Sequence, residues 1–230
     1  MPDSDNWAAV AAALPMAARA ERERPFWKAL AAAWGWRRVV DAGCGAGFHL
    51  GMLRGLGVHA VGFDASIAVL AEHRVANLAA GDLRTPPLRA GSFDAALCLG
   101  NTISLLPDRQ GQRETLAALA SLVRPGGVVL LQGEDAGELV SVGALVRTRR
   151  IDANTVHVRV FERAGRRVRM LAAVVRPGEE ARLAVSWLLA SSPASLAKLA
   201  PGLGLLPATL PLPGPGGGAS WWAAFNVSAR

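Results

Sequence analysis

Between residues 37 and 132 the chain alternates short apolar runs with stretches of helical spacing. Apolar runs at about 37–42, 58–63, 78–81, 94–99 and 127–132 predict five strands. Helices are predicted after Gly47, from Ser66 to Asn77, and from Asp108, a good N-cap, to Val123. Such β-α-β alternation implies a parallel sheet with helices on both faces. Upstream, Ser4 or Asp5 can cap a helix through about Ala18. A second helix, about Ala20 to Trp34, places Phe26, Trp27, Leu30 and Trp34 at helical spacing. These aromatics either dock the helix on the sheet or form a lid over a pocket.

The pattern changes downstream. From Thr155 to Arg163 the chain alternates Val156, Val158 and Val160 with His157 and Arg159. Ala164-Gly165 turns it, Arg167 to Val175 runs back, and a third stretch from about Arg182 to Leu189 also alternates. The expectation is an antiparallel meander with one wet, arginine-rich face. It would roof a pocket or form the interface of a homodimer. A helix near Ser195–Leu199, strands near 204–210 and 220–228, and a Pro/Gly loop from Pro211 to Gly218 would finish the sheet. The predicted fold is therefore α/β: a Rossmann-like doubly wound sheet, mostly parallel with an antiparallel last strand, plus an inserted antiparallel β meander. The expected division is a helical lid over 1–36, a core over 37–135, the β insertion over 136–190 and completion of the core sheet over 191–230.

Candidate chemistry concentrates where the first strand ends, at Asp41-Ala42-Gly43-Cys44-Gly45-Ala46-Gly47. A strand, a tight glycine turn and a helix start leave free backbone N–H groups for a nucleotide-like ligand. Asp41 precedes the turn and Asp64 ends the second strand, which points to an adenosine-containing ligand at the carboxyl edge of the sheet. The third glycine of a dinucleotide fingerprint would fall on Phe48. A P-loop needs Gly-Lys-Ser/Thr, and the chain's only lysines are Lys28 and Lys198. Without a basic side chain in the turn, pyrophosphate is poorly provided for; Asp41 suits a cationic or hydroxylated ligand.

Composition adds bounds. The 230 residues, 51% hydrophobic, suffice for one domain with a core. The formal charge of +7 comes from arginines that are scattered except between Arg147 and Arg182. Cys44 and Cys98 form neither a disulfide framework nor a zinc site, and the four histidines show no ligand spacing, so no metal is expected. The start Met1-Pro2-Asp3-Ser4-Asp5 is acidic where a secretory signal is positive, and no apolar segment reaches the length of a membrane span. Cytoplasmic localisation without membrane association is the expectation.

The glycine turn resembles motif I of the class I S-adenosylmethionine-dependent methyltransferases. Val58 to Ser66, Gly81-Asp82-Leu83, Ser92 to Asn101 and Leu122 to Leu130 are similar to the family's later motifs, in the right order. The resemblance covers about residues 37–132. It implies S-adenosylmethionine as cofactor, with Asp41, Gly43, Cys44, Gly45 and Gly47 at its methionine end. Asp64, Ala65 and Ser66 would hold the ribose, and Asp82 and Leu83 the adenine. Leu99 and Gly100 would border the methyl group, and Asn101 would be the catalytic residue.

Leu97 to Asp108 is similar to the motif IV region of glycine and sarcosine N-methyltransferases, with Thr102 in place of a serine. That family's histidine before Leu-Pro is replaced by Leu105, its basic residue after strand five by about Glu134, and its pocket tyrosines have no counterpart. Glycine itself is therefore not the expected acceptor. Glu134 and Asp135 would suit a cationic or amine acceptor, or are solvated loop acids. The expected activity is methyl transfer to N or O of a small-molecule acceptor. Leu-Gly-Asn-Thr weighs against base methylation. The rival readings are a nucleic-acid or protein methyltransferase gripping its substrate through the arginines of 147–182, and a non-catalytic binder of S-adenosylmethionine. His49 and His157 are weak candidates for a general base.

Overall fold

The computed structural model describes residues 6–7, 10, 14, 16–72, 77–135, 144–181, 183–216 and 220–229. Asn6, Trp7 and Val10 are helical, and a helix labelled α1 spans Met16–Ala33. It is followed by β1 (Arg38–Ala42), α2 (Phe48–Arg54), β2 (His59–Asp64), α3 (Ile67–Glu72), β3 (Leu78–Ala80) and β4 (Phe93–Cys98). A 3-10 turn over Thr102–Leu105 leads to α4 (Arg109–Leu122) and β5 (Val123–Glu134). Then come β6 (Ala144–Arg150), β7 (Val156–Ala164), β8 (Arg167–Val175), β9 (Leu183–Leu189), α5 (Pro193–Ala197), β10 (Leu205–Ala208) and β11 (Ser220–Val227).

Among the described residues the strands form a seven-stranded sheet, in the order β10-β11-β5-β4-β1-β2-β3, and a four-stranded sheet, β6-β7-β8-β9. β1 to β5 run parallel, and β11 is antiparallel to β5. The expected mostly parallel sheet, antiparallel finish and separate meander are all present. Strand order reverses between β1 and β4, which is where ligands bind in open α/β sheets.

Two-residue periodicity divides the core. In β4 and β5, Ala96, Cys98, Val129 and Leu131 face a cluster that includes Ile103, Leu116, Leu119, Leu196 and Phe225. The alternate residues Ala95, Leu97, Val128 and Leu130 face Trp27, Leu30, Leu50 and Leu53. The strands are thus buried on both faces, which is why they read as unbroken apolar runs. Asp108 caps α4 by accepting from the Gly111 N–H at 2.8 Å.

Several expectations need correction. α1 begins at Met16, so no break separates Ala18 from Ala20; Pro25 lies inside the helix. Capping by Ser4 or Asp5 falls outside the described residues; α3 is described from Ile67 to Glu72, and Asn77, the predicted end of that helix, is a bend with φ of 63°. The aromatics of α1 dock it on the sheet: Phe26, Trp27 and Leu30 are buried, and Phe26 meets Trp222 at 5.1 Å between ring centroids. The meander gains a fourth strand, β6, from the alternating stretch Ala144-Leu145-Val146-Arg147-Thr148-Arg149-Arg150.

The faces of the meander are also reversed. Phe161, Met170, Ala172 and Ala184 look inward with Arg147 and Arg159, and Trp7 and Val10 pack beneath them. Apolar residues instead lie open on the other face, with Val146 59% and Trp187 44% exposed. Salt bridges explain the inversion, since Arg147 and Arg159 turn in toward an acid at the end of β5. No helix among the described residues is long and apolar enough to cross a membrane.

Candidate functional site

The carboxyl ends of β1, β2, β4 and β5 converge on one edge of the large sheet. Asp41, one residue before the end of β1, is 1% exposed, and neither carboxylate oxygen has a hydrogen-bond partner among the described residues. His49 Nδ1 lies 3.5 Å from its Oδ2. A buried charge without partners costs several kcal/mol, on the order of the desolvation of one ion. Such a group suits a ligand that brings donors or positive charge.

The loop after β1 is shaped by glycines: Gly43, Gly45 and Gly47 have φ of 73°, 50° and 75°. At Gly43 space is also lacking, because a Cβ there would stand 2.3 Å from Thr102 Cγ2. The loop therefore lies directly on the turn that follows β4. Cys44 is buried against Gly62, and burial, with Asp41 and Asp64 nearby, pushes its thiol well above the ordinary range. Cys98 is raised chiefly by burial in β4. Both are free, buried cysteines.

Asp64 is employed differently from Asp41. The Gly45 N–H donates to its Oδ2 at 2.8 Å and the Ser66 N–H to its Oδ1 at 2.9 Å. This carboxylate ties the glycine loop to the end of β2, and Ala65 and Ser66 follow at the rim. Farther out, Arg84 hydrogen-bonds Asp82 and holds its carboxyl down at about 2. Leu83 packs against the core beside it.

At the end of β4, Gly100 and Asn101 both take the left-handed conformation, with φ of 66° and 72°. Leu99 is buried just before them. Asn is among the non-glycine residues that accept this region best. The turn is pinned to β5: the Gly100 N–H donates to Gln132 Oε1 at 2.9 Å and the Asn101 N–H to the Gln132 carbonyl at 3.1 Å. Asn101 is 8% exposed, and its Oδ1 accepts from the Glu134 N–H at 3.2 Å. With the carbonyl so engaged, the amide NH2 is the group Asn101 offers to a ligand. Gly133 makes this approach feasible, since a Cβ there would lie 2.8 Å from Asn101 Oδ1.

Glu134 is not a solvated loop acid: its side chain is 19% exposed and ion-paired. Arg159 pairs with it at 3.0 Å and Arg147 at 3.5 Å. These ion pairs lock the inner face of the small sheet to β5, next to Asn101. His157, on the same face as Arg159, is half-buried; burial first, then Arg159 and Arg149, hold its pKa below the usual histidine value.

The structure thus brings Asp41, the glycine loop, Asp64, Leu99, Gly100 and Asn101 to one edge, with Asp82 and Leu83 at its β3 end. Sequence reasoning missed Gln132 and the Arg147–Glu134–Arg159 pairing. A glutamine closing an otherwise apolar strand could have signalled the first. Nothing local in sequence announces the second, which joins residues far apart in the chain.

Residues 39–127 match a family described as a methyltransferase domain. The chain is 32% identical over 131 residues to glycine N-methyltransferase from Oryctolagus cuniculus, covering 47% of this chain and 44% of that protein. It is 32% identical over 139 residues to a glycine/sarcosine N-methyltransferase from Parasynechococcus marenigrum, covering 56% and 49%. The chain thus spans about half the length of the curated relatives it matches. Among solved structures, a S-adenosylmethionine-dependent methyltransferase from Clostridium acetobutylicum superposes with a TM-score of 0.75 at 15% identity, covering 91% of this chain and 92% of that one. An amino pentose methyltransferase from Micromonospora echinaspora, solved with S-adenosylmethionine bound, gives 0.71 at 26% identity, covering 93% and 90%.

Proposed function

We propose that this chain, whose residues 39–127 match a methyltransferase domain, is a class I enzyme that transfers the methyl group of S-adenosylmethionine to nitrogen or oxygen of a small molecule. The observation behind this reading is the Asp41 carboxylate, 1% exposed and unpartnered beside a loop of left-handed glycines. An ammonium or sulfonium-bearing ligand fits that site, and a pyrophosphate does not.

In this reading Asp41, Gly43, Cys44, Gly45 and Gly47 surround the methionine end of the donor. Asp64, held square by two backbone N–H groups, meets the ribose with Ala65 and Ser66. Asp82 and Leu83 border the adenine. Leu99, Gly100 and Asn101 flank the methyl group.

When bound, S-adenosylmethionine supplies a methyl group already activated toward in-line displacement. What remains for the chain is alignment and exclusion of water. Asn101 carries the alignment: its carbonyl is anchored to the Glu134 N–H, and its NH2 can orient an oxygen next to the acceptor atom. The relatives named for glycine and sarcosine, and the structural neighbour named for an amino pentose, support a small amine as acceptor. The absence of their basic residue at Glu134 supports one other than glycine.

The arginines of the small sheet are largely engaged within the chain. Arg147 and Arg159 pair with Glu134, Arg169 with Glu162, and Arg176 with Glu179. That supports a small-molecule acceptor over nucleic acid. The open apolar face bearing Val146 and Trp187 supports pairing of two copies of the chain.

The test is transfer from methyl-labelled S-adenosylmethionine to a panel of small amines and hydroxyl compounds, alongside RNA and DNA, at two salt concentrations. Labelled small-molecule product, insensitive to salt, is expected. Label confined to nucleic acid, lost steeply with salt as counterion release requires, would overturn the assignment.

A further inference from the structure

Behind Asp41 lies a row of polar side chains that methyl transfer itself does not use. His49 is 9% exposed, with Nδ1 3.5 Å from Asp41 Oδ2 and Nε2 3.4 Å from Arg19 Nη2. Arg19 belongs to α1. Its Nε donates to Glu23 Oε1 at 2.7 Å, and its guanidinium lies 4.3 Å from the centre of the Phe48 ring. Glu23 is itself buried and also accepts from Trp27 Nε1 at 3.3 Å. Arg19 is therefore fixed on two sides before it reaches His49.

The chemistry of the groups sets the direction of the row. A guanidinium can only donate, so the imidazole nitrogen facing Arg19 must accept. A neutral imidazole that accepts at Nε2 carries its proton on Nδ1. That proton sits on the nitrogen 3.5 Å from Asp41 Oδ2, an oxygen that is acceptor-only when ionised. The opposite tautomer would set N–H against N–H at Arg19 and lone pair against carboxylate at Asp41. A doubly protonated ring would place two cations face to face at 3.4 Å. The groups bearing on this ring are Asp41 from β1 and Arg19 and Glu23 from α1, with Trp27 and Phe48 as its aromatic walls.

We infer that His49 is a positioning residue for the methyl donor: Arg19 fixes its Nδ1–H tautomer, and that tautomer orients the Asp41 carboxylate toward the donor's methionine end. Docking of α1 and affinity for the donor are then coupled through one imidazole. This inference rests on the proposed binding of S-adenosylmethionine beside Asp41. It adds a role for α1 that its aromatic packing does not supply.

The experiment titrates S-adenosylmethionine into wild type, His49→Phe, His49→Gln, Arg19→Ala and the Arg19→Ala/His49→Phe double variant, each checked for folding by thermal melting. Long-range nitrogen–proton NMR of the imidazoles in the donor-free protein reads the tautomer directly. Expected are a loss of affinity of about tenfold in His49→Phe, partial recovery in His49→Gln, which can still donate, and several-fold loss in Arg19→Ala. The double variant should be no weaker than His49→Phe alone, the non-additivity of residues acting through one another. The wild-type spectrum should show the Nδ1–H form of His49, lost in Arg19→Ala. Wild type that binds no S-adenosylmethionine overturns the donor assignment and this inference together. Wild type that binds, with His49→Phe unchanged within about twofold or an Nε2–H tautomer in the spectrum, overturns this inference alone.

Discussion

The carboxyl edge of the large sheet and the inner face of the small sheet meet at Asn101 and Glu134, but they are held in different ways. At the edge, backbone does the positioning. Left-handed glycines shape the loop after β1, backbone N–H groups fix Asp64, and Gln132 pins the turn at Gly100 and Asn101. On the small sheet, long side chains do it, with Arg147 and Arg159 reaching across to Glu134. A backbone-built site is rigid and tied to short sequence spans. A site built from arginine–glutamate pairs can shift with its partners and can change by single substitutions. The donor half should therefore fail by unfolding or loss of ligand, and the acceptor half by altered selectivity.

The largest effect is expected at Gly43→Ala. A methyl group there meets Thr102 at a φ of 73°, so strain and overlap combine. We expect destabilisation of about 2–4 kcal/mol by chemical denaturation, with loss of donor binding. A variant as stable as wild type would show that the loop is not packed against the β4 turn.

Next is Asp64→Ala. It frees two N–H groups bound to a carboxylate, and we expect about 2 kcal/mol of lost stability together with weakened donor binding. The comparison with Asp41 is informative, because Asp41 holds no backbone group.

Glu134→Gln should act on the other half. It leaves Arg147 and Arg159 without their counter-charge, at a stability cost of about 1 kcal/mol. Donor affinity should stay within about twofold while the acceptor KM rises about tenfold. Steady-state kinetics in both substrates separates the two; a change in donor affinity alone would dissolve the division between the halves.

The smallest effect is pH-dependent. The fold lowers the pKa of His157, so in acid the unfolded chain binds the proton more readily than the folded one. Stability from keeping this ring neutral is fully present above the ordinary histidine pKa and is lost as pH falls through it toward the depressed folded value. Melting from about pH 7.5 down to about 5.5 should show a decline of about a degree that His157→Gln removes. An identical slope in that variant would assign the decline elsewhere.

The contrast also explains what could be read from the sequence. Asp41 to Gly47 is contiguous, and its strand, turn and helix are local events, so residues and geometry were both legible. The acid ending β2 and the Gly-Asn turn after β4 were legible because parallel strands place their carboxyl ends together. The inward turn of Arg159 was not. Alternation over 156–163 gives two faces but not which one is covered, and here Glu134 draws the charged face in. β6 was missed because Ala144 to Arg150 offers few strongly β-forming residues among its arginines. The Arg19–His49–Asp41 row was hidden for the same reason as the Glu134 pairs: three elements far apart in sequence must meet before it exists.

The most direct test of the account is calorimetric titration of S-adenosylmethionine into wild type and Asp41→Asn, with a thermal melt of each. The account predicts micromolar-range binding by wild type, about 7–9 kcal/mol. It predicts a loss of at least about a hundredfold in Asp41→Asn and a melting temperature that does not fall, because the carboxylate accepts no hydrogen bond in the fold and its 3.5 Å neighbour His49 can donate to an amide oxygen as well. A folded wild type that does not bind, or an Asp41→Asn variant that binds as wild type does, would contradict it.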